Sequence, residues 1–220
     1  MSGTPSANSG ANPPPTPATP PITPAPAGPA GSVLLFDDFE DGDAAGWIAD
    51  ADDGDDLLGS WAVVETPEGR AYAQQDASFS DDSWTVGGNV TWTDVALEAR
   101  FRFTSVSDIE DAIVMLALRF QSKDNYYYVQ YAGDGSLKIR KRVDGSEPDL
   151  FSLDLDRVAA LGEWITLGLS VRGTALEASV DGMVVSSAVV DTDLGSGGIA
   201  LGVRENSAVE FDDVRVTVPQ

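Results

Sequence analysis

Tyrosines and positive charges are concentrated in one stretch of the sequence. Residues 125–142, NYYYVQYAGDGSLKIRKR, hold four tyrosines and four Lys or Arg side chains, although the whole chain has a formal net charge of −23. Flat aromatic rings offer stacking area to a pyranose ring, and the planar guanidinium of Arg matches carboxylates and vicinal hydroxyls. This combination indicates a surface that recognises a saccharide.

Side chains alternate across a β-strand, so each apolar run can be divided into two faces. In the run at 125–131 we assign Tyr126, Tyr128 and Gln130 to the outer face and the other tyrosines to the core. If the runs at 95–103, 112–120, 125–131 and 136–142 are neighbours in one sheet, its outer face carries five cations as well as these three side chains. The cations are Arg100, Arg102, Arg119, Lys138 and Arg140, and the other three are Tyr126, Tyr128 and Gln130. Such a face would favour acidic polysaccharides, uronates for example. Ordinary cross-strand ion pairs on a solvated face are the alternative.

The composition excludes several classes of function. The chain has 13 Lys and Arg against 36 Asp and Glu, so binding to nucleic acid or to an anionic membrane surface is electrostatically disfavoured. It has no Cys and no His, which removes disulfides, zinc-thiolate sites, thiol nucleophiles and the commonest general base. No apolar run is long enough to span a membrane, and no signal peptide is visible at the N-terminus.

Two Asp doublets in similar surroundings indicate a cation site. FDD occurs in LLFDDFEDG near the start of the globular part and in VEFDDVRV near its end, and each doublet breaks the apolar alternation, as a bulge or strand end does. If the terminal strands pair antiparallel, the carboxylates approach each other and need a cation or protonation. We predict a structural Ca²⁺ held by Asp38, Asp213 and backbone carbonyls, with Glu40 or Asp41 assisting. Simple solvated strand ends are the alternative.

The chain divides into a spacer and one domain. Residues 1–32 contain 10 of the 13 prolines and no charged side chain, which predicts an extended Pro/Thr/Ala-rich linker. The domain predicted at 33–220 is large enough for one sizeable core. Within it, the run DADDGDD at 50–56 lacks the ligand spacing of an EF-hand and is predicted to be an exposed acidic loop.

From Val33 onward, short apolar runs are separated by turn signals such as GDG and DG. The predicted strands are 33–36, 60–65, 70–75, 95–103, 112–120, 125–131, 136–142, 164–172, 175–180, 183–190, 198–203 and 209–218. So many short strands indicate an all-β domain, an antiparallel meander folded into two packed sheets. The one predicted helix lies at 155–163. In the run at 112–120, alternation places Phe120 on the core side and Arg119 outside.

The domain resembles laminin-G-like, concanavalin A-like jelly-roll modules attached to bacterial polysaccharide lyases and glycoside hydrolases. The segments that carry the resemblance are LLFDDFEDG, GSWAVVE, WTDVALEARFRF, LALRFQSKDNYYYVQY, GSLKIRKRVDG, GEWITLGLSVRGTALEASVDG and VEFDDVRV. The resemblance implies a two-sheet jelly-roll sandwich, a calcium near the terminal strands in many members and carbohydrate binding in several. It also implies that Arg119, the tyrosines of NYYY and Lys138 lie on an open sheet.

The resemblance further separates the tryptophans. Trp61, Trp92 and Trp164 match positions expected in the core. Trp84, in the predicted loop SDDSWTVGG, is expected to be exposed.

Catalysis by such a domain would need one of two patterns. A retaining glycoside hydrolase of this fold needs closely spaced carboxylates in an E-x-D-x-x-E arrangement, and the sequence has none. A jelly-roll lyase is expected to use a His with a Tyr and an Arg. Tyr128 and Arg119 supply two of the three, but the chain has no His.

We therefore predict a non-catalytic carbohydrate-binding module of a secreted bacterial enzyme, with the catalytic module elsewhere in the parent chain. An adhesion or spacer domain without a glycan ligand and a His-free lyase are the alternatives.

Overall fold

The computed structural model describes residues 28–49, 60–78, 81–204 and 206–220. Within these ranges the chain forms sixteen β-strands and no helix. In chain order the strands are β1 (Val33–Asp37), β2 (Ile48–Ala49), β3 (Trp61–Thr66), β4 (Gly69–Gln74), β5 (Ser83–Gly87), β6 (Val95–Val106), β7 (Ile113–Ser122), β8 (Asn125–Ala132), β9 (Ser136–Arg142), β10 (Asp149–Asp154), β11 (Ile165–Arg172), β12 (Ala175–Val180), β13 (Met183–Val184), β14 (Val189–Val190), β15 (Gly198–Val203) and β16 (Ser207–Thr217).

The strands form two antiparallel sheets that pack face to face. One has nine strands in the order β13-β12-β11-β6-β16-β4-β3, with β1 beside β16 and β14 beside β12. The other has seven strands in the order β10-β9-β8-β7-β15-β5-β2. The predicted all-β sandwich of two sheets is therefore confirmed.

Period-two alternation builds the core between the sheets. In β6, Leu97, Ala99 and Phe101 are buried and alternate with half-buried polar side chains. In β8, Tyr127, Val129 and Tyr131 belong to the same core cluster, as the sequence predicted. Burial of such apolar side chains, at about 25 cal/mol per Å² of area removed from water, is the main source of stability in a fold of this kind.

The strand predictions agree closely with the structure, apart from one split and three omissions. The run at 183–190 divides into the two short strands β13 and β14. The predicted strands do not include β2, β5 or β10, and β2 is only two residues long. The omission of β5 matters for the site, because this strand carries Trp84.

The predicted helix at 155–163 is wrong. Val158 and Leu161 are largely exposed, so the segment has no continuous apolar face to bury. Its backbone instead bonds to the β8–β9 turn: Leu155 N donates to Gly135 O, and Ala159 N donates to Gly133 O. These tertiary hydrogen bonds replace the i to i−4 bonds that a helix would need.

The terminal strands pair antiparallel, which is the condition on which the predicted approach of the Asp doublets depended. β1 lies beside β16, with Asp37 opposite Val214. The pairing of β16 with β6 shifts between Asp212 and Arg215, and Asp213 has a positive φ of 49°. The second doublet therefore forms a bulge, and the first lies where β1 ends.

Two predictions fall wholly or mostly outside the described residues: the acidic loop at 50–56 and the linker at 1–32, of which 28–32 are described. The first strand begins at Val33, where the sequence predicts the domain to begin. The described residues contain no helix that is long and apolar enough to cross a membrane.

Candidate functional site

The eight residues predicted to share one face are divided between the two sheets. β7, β8 and β9 are neighbours in the seven-stranded sheet, whereas β6 lies in the nine-stranded sheet between β11 and β16. Arg100 and Arg102 are therefore remote from the tyrosines, and their assignment to a common face was wrong. The reason is that the chain crosses from one sheet to the other between β6 and β7, a step that alternation within a strand does not reveal.

Arg100 and Arg102 instead build a charged ladder on the outer face of the nine-stranded sheet. Arg100 donates to Asp213 at 2.9 Å, and Arg102 donates to Glu210 at 2.6 Å. Both guanidinium groups lie over the ring of Trp164, at 4.6 and 4.4 Å from its centroid. Trp164 is thus half-buried on this outer face and not in the core as predicted. Trp61 and Trp92 do pack against the core.

Arg119 also leaves the predicted face, because it forms a β-bulge. The pairing of β7 with β8 shifts between Leu118 and Ser122, and Arg119 has a positive φ of 50°. The inserted residue reverses the alternation, so that Phe120 lies on the outer face, opposite to the prediction. Gly197 makes room for the bulge, since a Cβ there would lie 2.3 Å from the Arg119 carbonyl carbon.

The Arg119 guanidinium is buried among backbone carbonyls. Its side chain is 4% exposed, and it donates to the carbonyl oxygens of Thr93 (3.0 Å), Leu194 (2.6 Å) and Gly173 (2.7 Å). These three acceptors lie in separate connections between strands. Arg119 therefore joins three loops at one end of the sandwich and does not reach a ligand on the outer face.

Tyr126 and Tyr128 do point away from the core, as predicted, yet both are only 1% exposed. They form an outer aromatic cluster with Trp84 and Phe120. Tyr126 lies 5.2 Å from Phe120 in a stacked arrangement, and the Trp84 ring meets Tyr126 edge-on at 5.1 Å. The tyrosine rings therefore pack against one another, and the predicted open stacking platform is wrong.

Trp84 closes this cluster from a strand that the sequence analysis read as a loop. β5 pairs with β15, opposite Gly202, and a Cβ at Gly202 would lie 2.6 Å from the Trp84 ring. Trp84 is consequently half-buried, and its predicted exposure is corrected. Trp84 and Val86 alternate with small residues in SWTVG, which is a sequence signal for a strand. In the structure the small residues are the more buried ones, and Trp84 and Val86 pack on the outer cluster.

A network of charges borders the aromatic cluster on the same outer face. Arg140 donates from Nε to Asp149 at 2.7 Å, from a terminal nitrogen to the Tyr128 hydroxyl at 2.8 Å and from the other to the Glu147 carbonyl at 2.8 Å. Lys138 Nζ lies 2.9 Å from the second Asp149 oxygen. The hydrogen bond from Lys138, assisted by the charge of Arg140, lowers the pKa of Asp149. Asp149 is not among the residues predicted for the site, because it lies on β10, a strand that was not predicted.

Gln130 lies on this face as predicted, between two cross-strand neighbours. It is opposite Met115 on β7 and opposite Lys138 on β9. The residue is 6% exposed, and its Oε1 is buried without a hydrogen-bond partner in the described structure. We call Gln130, Lys138, Arg140 and Asp149 the polar face.

The two residues that a lyase would use are not arranged for catalysis. Burial raises the pKa of Tyr128, so its hydroxyl stays protonated and cannot readily act as a base. Burial likewise raises the pKa of Tyr126 to about 12. Arg119 is engaged with backbone carbonyls at the end of the sandwich. The pairing of Tyr128 with Arg119 therefore gains no support from the geometry.

The four predicted calcium ligands have separate partners. Asp213 is bonded to Arg100 at 2.9 Å, and Glu40 Oε1 accepts from the backbone N of Arg70 at 2.9 Å. Asp38 and Asp41 each accept from a backbone N two residues ahead in the chain. Among the residues that the structure describes, no three acidic side chains group as metal ligands. The calcium site thus stays a prediction from the sequence.

The calcium prediction can be tested by comparing how EDTA and the substitution Arg100→Ala each change the stability of the protein. We expect Arg100→Ala to lower the free energy of unfolding by about 1 kcal/mol, because Asp212 and Asp213 lose their half-exposed cation. If Ca²⁺ is bound as well, excess EDTA lowers the melting temperature of the unmodified protein by linkage, and added Ca²⁺ restores it. No effect of EDTA, together with a destabilised Arg100→Ala, would end the calcium proposal.

Similarity to known proteins is found in structure and not in sequence. No protein family and no curated protein matches the chain. The carbohydrate-binding module CBM66 from Bacillus subtilis superposes with a TM-score of 0.60 at 17% identity, covering 78% of this chain and 95% of that module. The Bacillus licheniformis beta-glucanase gives 0.59 at 10% identity, covering 85% and 98%.

Domain 4 of the extracellular GH43 arabinanase AbnA from Geobacillus stearothermophilus, solved in complex with arabinotriose, gives a TM-score of 0.57 at 12% identity, covering 86% of this chain and 94% of that domain. The TM-scores establish the fold, whereas identities this low leave the ligand open. The chain therefore shares the two-sheet jelly-roll β-sandwich fold of these proteins.

Proposed function

We propose that this domain is a non-catalytic carbohydrate-binding module that holds a glycan at the polar face of the seven-stranded sheet. The observation that carries the proposal is Asp149, a half-exposed carboxylate fixed by two different cations, Lys138 and Arg140. The structural similarity to a carbohydrate-binding module and to an arabinanase domain bound to arabinotriose supports it.

The chemistry of the polar face suits sugar hydroxyls, each of which can donate one hydrogen bond and accept others. Asp149 offers acceptor oxygens, while Lys138 and Arg140 offer donors within a few ångströms of them. The buried Tyr128 hydroxyl anchors Arg140, so little side-chain freedom is lost on binding. The aromatic cluster beneath these groups acts as rigid support and not as a stacking surface.

The predicted preference for uronates depended on unpaired cations. In the structure, Lys138 and Arg140 have Asp149 and Glu147 as carboxylate partners, so the charges of this part of the face balance. Acidic and neutral polysaccharides therefore both belong in the test. Secretion, and a catalytic module elsewhere in the parent chain, are parts of the proposal that rest on the composition of residues 1–32 and on the resemblance.

Affinity electrophoresis and calorimetry against pectin, alginate and neutral glycans test the proposal. We expect binding to at least one, and we expect Lys138→Ala to weaken it about tenfold, because a charge-assisted hydrogen bond is lost. Arg157→Ala is the matched control: its side chain is 32% exposed against 34% for Lys138, yet it lies at one end of the sandwich and pairs with Glu163.

The other outcomes separate the alternatives. Absence of binding to every glycan would reject the proposal and favour an adhesion or spacer domain. Release of an unsaturated uronate, detected by its absorbance, would instead identify a lyase. If Lys138→Ala and Arg157→Ala weaken glycan binding equally, the glycan does not bind specifically at the polar face.

A further inference from the structure

A hollow lies on the outer face of the nine-stranded sheet, on the other side of the sandwich from the polar face. Its volume of about 610 Å³ falls within the range of sites that hold small ligands, roughly 300–1,000 Å³. Small residues on neighbouring strands form its floor: Ala96 on β6, Gly168 and Ser170 on β11, and Ser179 on β12. The outer surface of this sheet is therefore open here, whereas aromatic rings cover the outer surface of β8.

The absence of a side chain at Gly168 gives the hollow its depth. A Cβ at this position would lie 2.3 Å from Ser179 Oγ and 3.3 Å from Glu98 Cγ. The strand register agrees, because Gly168 is opposite Glu98 on β6 and opposite Ser179 on β12. The Ser179 hydroxyl and the Glu98 side chain therefore border the space above Gly168 from two sides, and a ligand that enters this space meets both.

The polar side chains of the hollow are accessible and have hydrogen-bonding capacity to spare. Glu177 is exposed, and Glu98, Ser170 and Ser179 are half-buried. Within the described ranges, neither carboxylate forms an ion pair or a side-chain hydrogen bond, and neither serine hydroxyl has a hydrogen-bond partner. On the polar face, by contrast, the cations are bonded to the carboxylate beside them. The hollow therefore offers donors and acceptors that a ligand does not have to take from other partners.

The charges around the hollow favour an uncharged ligand. Arg172 lines the hollow and donates to the Gln220 carbonyl, and Arg215 lies opposite Glu98 on β16. These two guanidinium groups balance the two carboxylates. Sugar hydroxyls donate to carboxylates and also exchange hydrogen bonds with serine hydroxyls, while the exposed Val184 at the rim offers apolar contact to the C–H groups of a sugar ring. A neutral saccharide combines these properties.

We propose that the hollow is a second glycan-binding site, which holds a short segment of a neutral polysaccharide by hydrogen bonds to Glu98, Glu177 and Ser170. The choice of a saccharide as the ligand rests on the proposed function, whereas the position of the site does not depend on the polar face. The two sites lie on the outer faces of opposite sheets, so one module holds two polysaccharide chains at once.

Mapping of backbone amide chemical shifts by NMR distinguishes the two sites. The full chain is titrated with four neutral probes: cellotetraose, laminaritetraose, xylotetraose and arabinotriose. We expect at least one probe to shift the amide resonances of Gly168, Ser170 and Ser179, separately from any shift in β8, β9 and β10. The titration of each group of resonances gives a dissociation constant for each site.

Two variants test the hollow, each with a matched control. Ser170→Leu fills the floor and should weaken binding at the hollow about tenfold, without loss of the shifts at the polar face. Thr166→Leu makes a similar change on the same outward side of β11 but outside the hollow, and should leave binding unchanged. Glu177→Ala should weaken binding about threefold, because one hydrogen bond is lost. Its control is Glu65→Ala, which changes an exposed glutamate on β3, at the far edge of the same sheet.

Several results would overturn this inference while the proposed function stands. They are shifts confined to β8, β9 and β10, absence of any shift at the hollow with all four probes although a polysaccharide binds the protein, and equal effects of Ser170→Leu and Thr166→Leu. A dimer in light scattering that Ser170→Leu dissociates would mean that a second copy of the chain occupies the hollow, and would also overturn it. Failure of every oligosaccharide and every polysaccharide to bind would reject the proposed function itself.

Discussion

Arg119→Ala should lower the free energy of unfolding by about 3–5 kcal/mol, because it leaves three carbonyl oxygens without their buried donor. Each acceptor lies in a different connection, so the loss also releases the loops at that end of the sandwich from one another. Denaturant unfolding followed by tryptophan fluorescence measures the change.

Two further variants show whether the geometry of the guanidinium is the cause. Arg119→Lys keeps the charge but lacks the planar fork that reaches three acceptors, and it should recover only part of the stability. Arg172→Ala removes an exposed arginine that donates to the Gln220 carbonyl, and it should cost less than about 0.5 kcal/mol. Equal effects of Arg119→Ala and Arg172→Ala would contradict the buried role of Arg119.

Tyr128→Ala should also cost about 3–5 kcal/mol of unfolding free energy, because a fully buried ring is removed from the outer aromatic cluster. Trp84 and Tyr126 would lose their contact with this ring. Thermal or denaturant unfolding provides the measurement, and any glycan assay on this variant requires that it is first shown to be folded.

Conservative replacement separates packing from hydrogen bonding at the same position. Tyr128→Phe keeps the ring and loses the hydroxyl that accepts from Arg140, so it should cost about 1 kcal/mol. Phe36→Ala is the control on an exposed aromatic side chain, which lies 4.5 Å from the Arg215 guanidinium, and it should cost about 1 kcal/mol or less. A small effect of Tyr128→Ala would mean that the tyrosine is accessible after all.

These stability predictions change how the site is tested. Substitution of Tyr128 or Arg119 would reduce glycan binding by damaging the fold, whatever the binding surface is. Lys138 and Asp149 are half-exposed, so their replacement reports on binding with little loss of stability. The side chains that attract attention in the sequence are therefore the support of the candidate site, and its accessible groups are less conspicuous.

Local pattern was sufficient for most of the strands and for one bulge. The apolar alternation in β6, β8, β11 and β15 predicted their positions within a few residues, because every second side chain of a strand points toward the core. The interrupted alternation at Asp212 and Asp213 predicted the bulge in β16. The bulge at Arg119 gave no such signal, since Phe120 continues an apparently regular alternation.

Which side chains meet, and which of them reach solvent, was decided by tertiary structure. Strand pairing is non-local, so the sequence could assign Arg100 to the outside of its strand but not to a sheet. One inserted residue at Arg119 reversed the sides of the chain that followed it. Trp84, distant in sequence from Tyr126, covers its ring and turns a predicted stacking surface into a packed cluster. An outward direction is a property of a single strand, whereas exposure depends on every neighbour that the folded chain brings to that face.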